Sequence, residues 1–336
     1  MPGKELLLEV QDLKTHFFTQ RGVVRAVNGV SFAIRRGQAL GVIGESGCGK
    51  SITSLSILRL LQKPGKIVDG KILYRGLEQG NGQAVDITTL DPDSAQMRSI
   101  RGGQIAMIFQ EPMTSLDPVY TIGNQIIEGI LCHRDVSQTE ACEMAREMLK
   151  RVNMPDPQRI LESYPHQLSG GMRQRAMIAM ALACGPSLLI ADEPTTALDV
   201  TTEAQILELL RDLQSDFGMA IMYITHNLGV VAEMVDEAIV MYLGKVVERA
   251  PVETLLHEPK HPYMQALLRS IPRLGKKSTA RLDAISGMVP SPFAIPTGCA
   301  FHPRCPHFMP GVCDVKEPPV VDLGPGHAVN CFLYGE

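Results

Sequence analysis

The octapeptide Gly44-Glu45-Ser46-Gly47-Cys48-Gly49-Lys50-Ser51 constrains this chain most, because it fits the pattern G-x-x-x-x-G-K-[ST]. It follows a short, wholly apolar run, Ala39 to Ile43, and opens a helical stretch from Lys50 to about Leu61. An apolar run of that kind reads as a strand buried on both faces, and strand, glycine loop and helix form the setting the pattern requires. Glycines let the backbone fold back so that successive N–H groups point inward at phosphate oxygens. The helix start adds its positive end. Lys50 is expected to reach the β- and γ-phosphates of a nucleotide, and the Ser51 hydroxyl to ligate Mg²⁺. At an average glycine usage of about 7%, the bare pattern arises in roughly one protein per hundred; the flanking strand and helix make a chance turn a poor explanation.

Leu188-Leu189-Ile190-Ala191-Asp192-Glu193 is the natural partner, an apolar strand ending in two acids. Asp192 would hold Mg²⁺ through water and Glu193 would polarise the attacking water as general base. Alone, the segment reads more simply as a strand end with solvated carboxylates. The phosphate loop upstream reverses that balance.

The 336 residues suffice for one large α/β domain with an appendage, or for two modest domains. A 45% hydrophobic fraction supports a core and excludes wholesale disorder. A net charge of −4 argues against a nucleic-acid binder, whose phosphate contacts demand a basic surface. The first residues carry Lys4, Glu5 and Glu9 and do not resemble a secretory signal. The longest apolar run, Ala176 to Cys184, is far short of the roughly 20 residues needed to span a bilayer. The expectation is a soluble, cytoplasmic protein that serves a membrane, if at all, by docking on a partner.

Leu6 to Phe18 and Val23 to Ile34 read as strands around a turn at Arg21-Gly22, and Ile105 to Phe109, Ser187 to Ala191 and Met219 to Thr225 as further strands. Helical spacing marks residues 121–152, Gly171 to Cys184 and Thr202 to Phe217. Residues 74–101 are polar, Gly-dotted and without clear assignment. Strands separated by helices predict a parallel sheet wrapped by helices. Past Gly275 proline and glycine become frequent and periodic segments vanish, which places a boundary near residues 275–285.

Leu168-Ser169-Gly170-Gly171-Met172-Arg173-Gln174 narrows the class. It resembles the LSGGQ-type signature of ABC ATPases, with Met172 where Gln is commonest and Gln174 two positions on. Ser169, Gly170, Gly171 and Gln174 would form a second anion site at a helix N-terminus; in that family it receives the γ-phosphate bound to the opposing subunit. The resemblance implies a P-loop ABC ATPase fold: a RecA-like parallel sheet core, an antiparallel β subdomain and a helical signature subdomain. Further stations fall in order. Phe17, or Phe18 beside it, resembles the aromatic residue that stacks on adenine. Gln110 resembles the Q-loop glutamine that contacts Mg²⁺ or water and couples to the membrane subunit. Thr196-Ala197-Leu198-Asp199 resembles the D-loop, and His226 the switch histidine. Asn227 and Thr196 depart from the commoner Asp and Ser but stay polar. Catalysis is thereby expected of Glu193, His226 and Gln110, and Mg²⁺ binding of Ser51, Gln110 and Asp192.

Three segments are similar to the dipeptide/oligopeptide (and nickel) importer ATPases: Gln110 to Pro118, Tyr164 to Leu168, and Pro259-Lys260-His261-Pro262-Tyr263 with Met264 to Arg269. That branch implies an ATP-hydrolysing importer subunit, peripheral on the cytoplasmic face of the cell inner membrane. Its implied partners are a second, different ATPase subunit, two transmembrane permeases and an extracytoplasmic substrate-binding protein. Relatives for nickel or oligosaccharides leave the cargo open. The implied domains are 1–250 for nucleotide binding, with a helical part at about 111–175, then a connecting helical segment at 251–280 and a small irregular Cys-rich domain at 281–336.

Cys299, Cys305, Cys313 and Cys331 are spaced C-x5-C-x7-C-x17-C, unlike a paired zinc ribbon. Four thiols in a Pro-rich, core-poor tail suggest a shared ligand that would fold it, zinc and iron–sulfur being hard to separate by spacing. The block Gly298 to Pro306 resembles the C-terminal domain of the oligopeptide-importer ATPases, and this resemblance implies a [4Fe–4S] cluster on the four cysteines, with zinc the alternative. Rival functions fare poorly. A DNA-repair ATPase with the same signature needs a long heptad insertion, a translation-associated relative needs two cassettes, and a plain P-loop kinase lacks Leu168 to Gln174.

Overall fold

The computed structural model describes residues 5–76, 84–110, 115–270, 285 and 287–335. Residues 111–114 of the segment after Gln110, and most of the expected boundary at 275–285, lie outside them. In chain order come β1 (Leu6–Thr19), β2 (Gly22–Arg35), β3 (Ala39–Ile43), α1 (Lys50–Ile57), β4 (Gly65–Tyr74), β5 (Val85–Asp86), α2 (Ala95–Ile100) and β6 (Ile105–Ile108). The helices α3 (Ile122–His133), α4 (Gln138–Arg151), α5 (Pro157–Glu162) and α6 (Gly170–Leu182) follow. After them stand β7 (Leu188–Asp192), α7 (Val200–Phe217), β8 (Ala220–Thr225), α8 (Leu228–Met234), β9 (Glu237–Tyr242), β10 (Lys245–Pro251), α9 (Val252–His257), α10 (Pro262–Arg269), β11 (Val320–Gly324) and β12 (His327–Asn330).

The chain divides into two compact units. One holds residues up to 8, 33–39 and 73–224. Within it β6, β7 and β8 run parallel, in registers Ile108↔Ala191 and Asp192↔Ile224. All five residues of β7 are buried, as an apolar strand covered on both faces must be. Four helices, α3 to α6, fill residues 122–182, and their caps are written in the sequence. Thr121 caps α3, Ser137 and Glu140 form a reciprocal capping box on α4, Asp156 caps α5 and Ser169 caps α6.

The other unit holds residues 9–32, 40–72 and 225–336. Here β3 pairs in parallel with β9, Ile43 facing Val240. β10 runs antiparallel to β9, and the terminal hairpin β11–β12 adds to β10 through Glu248↔Val329 and Arg249↔Ala328. Residues 237–251, to which periodicity assigns nothing, thus become central strands.

The placement of the C-terminal side chains overturns the expected cluster. Among the described residues no group of three or more His, Cys, Asp or Glu side chains is placed to hold a metal ion. Neither the [4Fe–4S] cluster on Cys299, Cys305, Cys313 and Cys331 nor the zinc alternative stands. Burial pushes the Cys299 thiol up to about 11, with its neighbours Cys331, Cys313 and Cys305 adding to it, and burial also raises Cys305 and Cys331. The premise that the tail lacks a core also fails. Phe301 and Val329 are fully buried, and β12 is bonded into the sheet. Buried Glu248 accepts backbone N–H groups from Lys260 and His261, each at 2.8 Å, and lies 2.9 Å from His327 Nε2. Ordinary packing and hydrogen bonds hold the segment.

Candidate active site

The phosphate loop forms as its glycines dictate. A Cβ on Gly44 would stand 2.4 Å from the Met241 carbonyl oxygen, and one on Gly49, at φ +102°, only 2.3 Å from that of Ala26. No other residue fits these two positions. Lys50 is buried, and its Nζ donates to the carbonyls of Gly44 at 2.7 Å and Glu45 at 3.2 Å, arching across the loop. No side chain caps α1 and no acid stands in its first turn, which leaves a positive helix end at the loop. A Cβ on Gly47 would meet nothing within 4 Å, so that side of the loop is open. Buried Cys48 turns its sulfur beneath Gly44, and burial raises its thiol pKa. The cradle suits an anion such as a triphosphate.

Glu45 shows a feature that motif reasoning missed. Its N–H donates to the Tyr263 hydroxyl at 2.8 Å, and its carboxylate accepts from Arg304 at 2.7 and 3.2 Å. The signals were present, an aromatic in Pro259–Tyr263 and an arginine between Pro303 and Cys305, but only tertiary structure says what they touch. In the same unit, His226 is exposed just after β8. Asn227 accepts the Gly229 N–H at 2.9 Å and caps α8, so its departure from Asp keeps the capping group. Phe17 is half-buried beside Gly65, and Phe18 is 49% exposed.

In the unit of β6 to β8, parallel register sets the chemistry. Ile108 lies level with Ala191, so Gln110 and Glu193, each two residues on, leave neighbouring strands side by side. The Gln110 Nε2 donates to Glu193 Oε2 at 3.0 Å, and the Thr196 hydroxyl donates to the same oxygen at 3.0 Å. Glu193 itself sits at φ +46°, a conformation disfavoured without glycine, and its N–H donates to the Ile224 carbonyl at 2.8 Å. Backbone strain at a carboxylate held by two neutral donors is characteristic of a working group. Asp192, one residue before, is buried at the end of β7. Within this unit Gln110 and Asp192 offer amide and carboxylate oxygens, and within the other unit Ser51 offers a hydroxyl; each is a hard donor of the type that suits Mg²⁺.

The Ser169 hydroxyl accepts the Met172 N–H at 3.3 Å, leaving Gly170 and Gly171 at the start of α6. Gln174 is placed differently from Ser169. It is buried, and its amide donates to the Pro194 carbonyl, tying α6 to the turn after Glu193.

Comparison with known proteins agrees with this geometry. Residues 27–196 match the family model described as "ABC transporter", and residues 247–313 match "Oligopeptide/dipeptide transporter, C-terminal region". The chain is 52% identical to a probable peptide ABC transporter ATP-binding protein of Sinorhizobium fredii, over 100% of this chain and 97% of the relative. It is 50% identical to the oligopeptide transport ATP-binding protein AppD of Bacillus subtilis, covering 98% and 97%. It is 45% identical to the dipeptide transport ATP-binding protein DppD of Escherichia coli, covering 97% and 96%. Among solved structures, the dimeric post-hydrolysis state of the ATP-binding cassette MJ0796 with ADP and Pi aligns with a TM-score of 0.63 at 26% identity. That alignment covers 73% of this chain and 99% of the cassette.

Proposed function

Since the chain belongs to the ABC transporter family and carries the C-terminal region of its oligopeptide/dipeptide branch, we propose that it is the ATP-hydrolysing subunit of an importer for di- and oligopeptides. One observation carries the hydrolytic part: the Glu193 carboxylate held by Gln110 and Thr196 on parallel strand ends. The cargo rests on the named peptide-transport relatives.

In this reading Gly44 to Ser51 bind the phosphates, Lys50 through its charge and the loop through its N–H groups. Phe17, or Phe18 beside it, stacks on adenine. Bound MgATP supplies the phosphoryl group and the metal charge that offsets the developing negative charge. Glu193 takes a proton from the attacking water, Gln110 and Thr196 fix the direction of its lone pair, and His226 contacts the γ-phosphate. Ser169, Gly170 and Gly171 receive the γ-phosphate bound to a second ATPase subunit, and Gln174 supports them from beneath through Pro194. Residues 1–250 form the nucleotide-binding domain, with helices at about 111–175, residues 251–280 connect, and 281–336 form a small C-terminal domain rich in cysteine.

No helix among the described residues is long and apolar enough to cross a membrane. In this reading, which the peptide-transport relatives support, two transmembrane permeases form the channel, and the subunit works at their cytoplasmic side beside a second, different ATPase and with an extracytoplasmic binding protein. Uptake of labelled di- and oligopeptides in cells deleted for the gene tests this. Wild type restores uptake and Glu193→Gln does not. Restored nickel or oligosaccharide uptake, with peptide uptake unchanged, overturns the cargo.

A further inference from the structure

The phosphate-loop motif specifies nothing at its second position, yet here that position is Glu45 and it is gripped from elsewhere in its own unit. Arg304 is buried, its side chain only 3% exposed, so its charge demands a partner. Both terminal nitrogens reach Glu45, at 2.7 and 3.2 Å, and one also lies 3.3 Å from the Tyr242 hydroxyl. Two-pronged guanidinium–carboxylate pairing fixes direction as well as charge. Burial opposes the charged guanidinium, but Glu45 and Tyr242 more than compensate and hold it protonated.

The supports of Arg304 are buried aromatic rings. Fully buried Phe301 meets Tyr242 edge-on at 5.2 Å and Tyr263 at 5.4 Å. The same Tyr263 accepts the Glu45 N–H, so main chain and side chain of one cradle residue are both anchored by residues in the C-terminal third. A carboxylate released inside a phosphate cradle would repel a triphosphate. Held by Arg304, it is neutralised and turned aside, and the loop keeps its binding shape before nucleotide arrives, which is how preorganisation raises affinity.

We propose that Arg304 and Tyr263 are positioning residues for the phosphate loop, so that the C-terminal region sets the affinity of this subunit for nucleotide. The proposal rests on the reading that Gly44 to Ser51 bind ATP, and the test separates the two. MgATP affinity is measured on the full chain by titration with a fluorescent ATP analogue, alongside KM and kcat. Arg304→Ala is expected to raise Kd and KM roughly tenfold while kcat stays within about twofold. Arg304→Lys, which keeps the charge without the two-pronged fit, recovers part of that loss. Glu45→Gln in the Arg304→Ala background lowers Kd again, because no released carboxylate remains. Tyr263→Phe, which deletes one hydroxyl and preserves the packing, raises Kd several-fold and keeps the test open should Arg304→Ala not fold. Unchanged Kd in both Arg304→Lys and Tyr263→Phe overturns the proposal, as does a loss confined to kcat. Failure of the wild type to bind nucleotide any better than Lys50→Ala overturns the underlying reading instead.

Discussion

In the proposed reaction Glu193 bears the largest single chemical demand. General-base help is worth about 10²- to 10⁴-fold, so Glu193→Gln should lower ATP turnover by at least about a hundredfold while nucleotide binding persists, as single-turnover kinetics will report. Thr196→Val removes a donor that aims the carboxylate. A smaller fall in kcat with unchanged KM is expected, and an unchanged kcat would mean that Gln110 suffices. A second residue makes a pH prediction. Burial holds the His261 imidazole neutral, its pKa pushed down to about 3 from the usual 6.5. The unfolded chain therefore binds this proton more readily than the native one. The stability it contributes is complete above about pH 6.5, and falls as pH drops towards 3 by up to about 1.4 kcal/mol per unit. His261→Asn keeps an acceptor for the Tyr263 N–H and should flatten the pH dependence of urea unfolding between roughly pH 6 and 4. An unchanged slope would assign that dependence to other groups.

At the scale of elements, the legible parts were those with local codes. The buried run of β3, the loop into α1 and the acids ending β7 follow from apolar continuity and glycine placement. The span read as one helical insert, 121–152, is two helices, because Ser137 and Glu140 start a new one after Arg134. Ser137→Ala should cost about 1 kcal/mol in unfolding free energy and leave ATP turnover untouched; a change in turnover would tie this cap to the site. Less was visible in β4, where Gly70 breaks the alternation, since a Cβ there would stand 2.5 Å from the Asp12 carbonyl oxygen. β9 and β10 form a tight hairpin, Lys245 facing Tyr242, but the partners that make them central strands, β3 and β12, are distant in sequence. The Gln110–Glu193 contact was latent in two strand ends, but only parallel register says that they are neighbours. The grip of Arg304 on Glu45, across 259 residues of chain, carries no local signal.

For the whole molecule, the cysteine pattern misled where the loop patterns did not. Four thiols in a Pro-rich tail suggested a core supplied by a ligand. Instead the tail has anchors of its own in Phe301, Val329, Arg304 and the Glu248 hydrogen bonds. The same packing gives the tail access to the phosphate loop within its unit. The central claim is that this chain is an ATPase whose loop binds MgATP and whose Glu193 drives hydrolysis. The most direct measurement is steady-state ATP hydrolysis by the purified full chain, run beside thermal unfolding with and without MgATP. The account predicts turnover and an ATP-dependent rise in Tm for wild type, the Tm rise without turnover for Glu193→Gln, and neither for Lys50→Ala. Equal turnover in wild type and Glu193→Gln, or an equal Tm rise in wild type and Lys50→Ala, would contradict it.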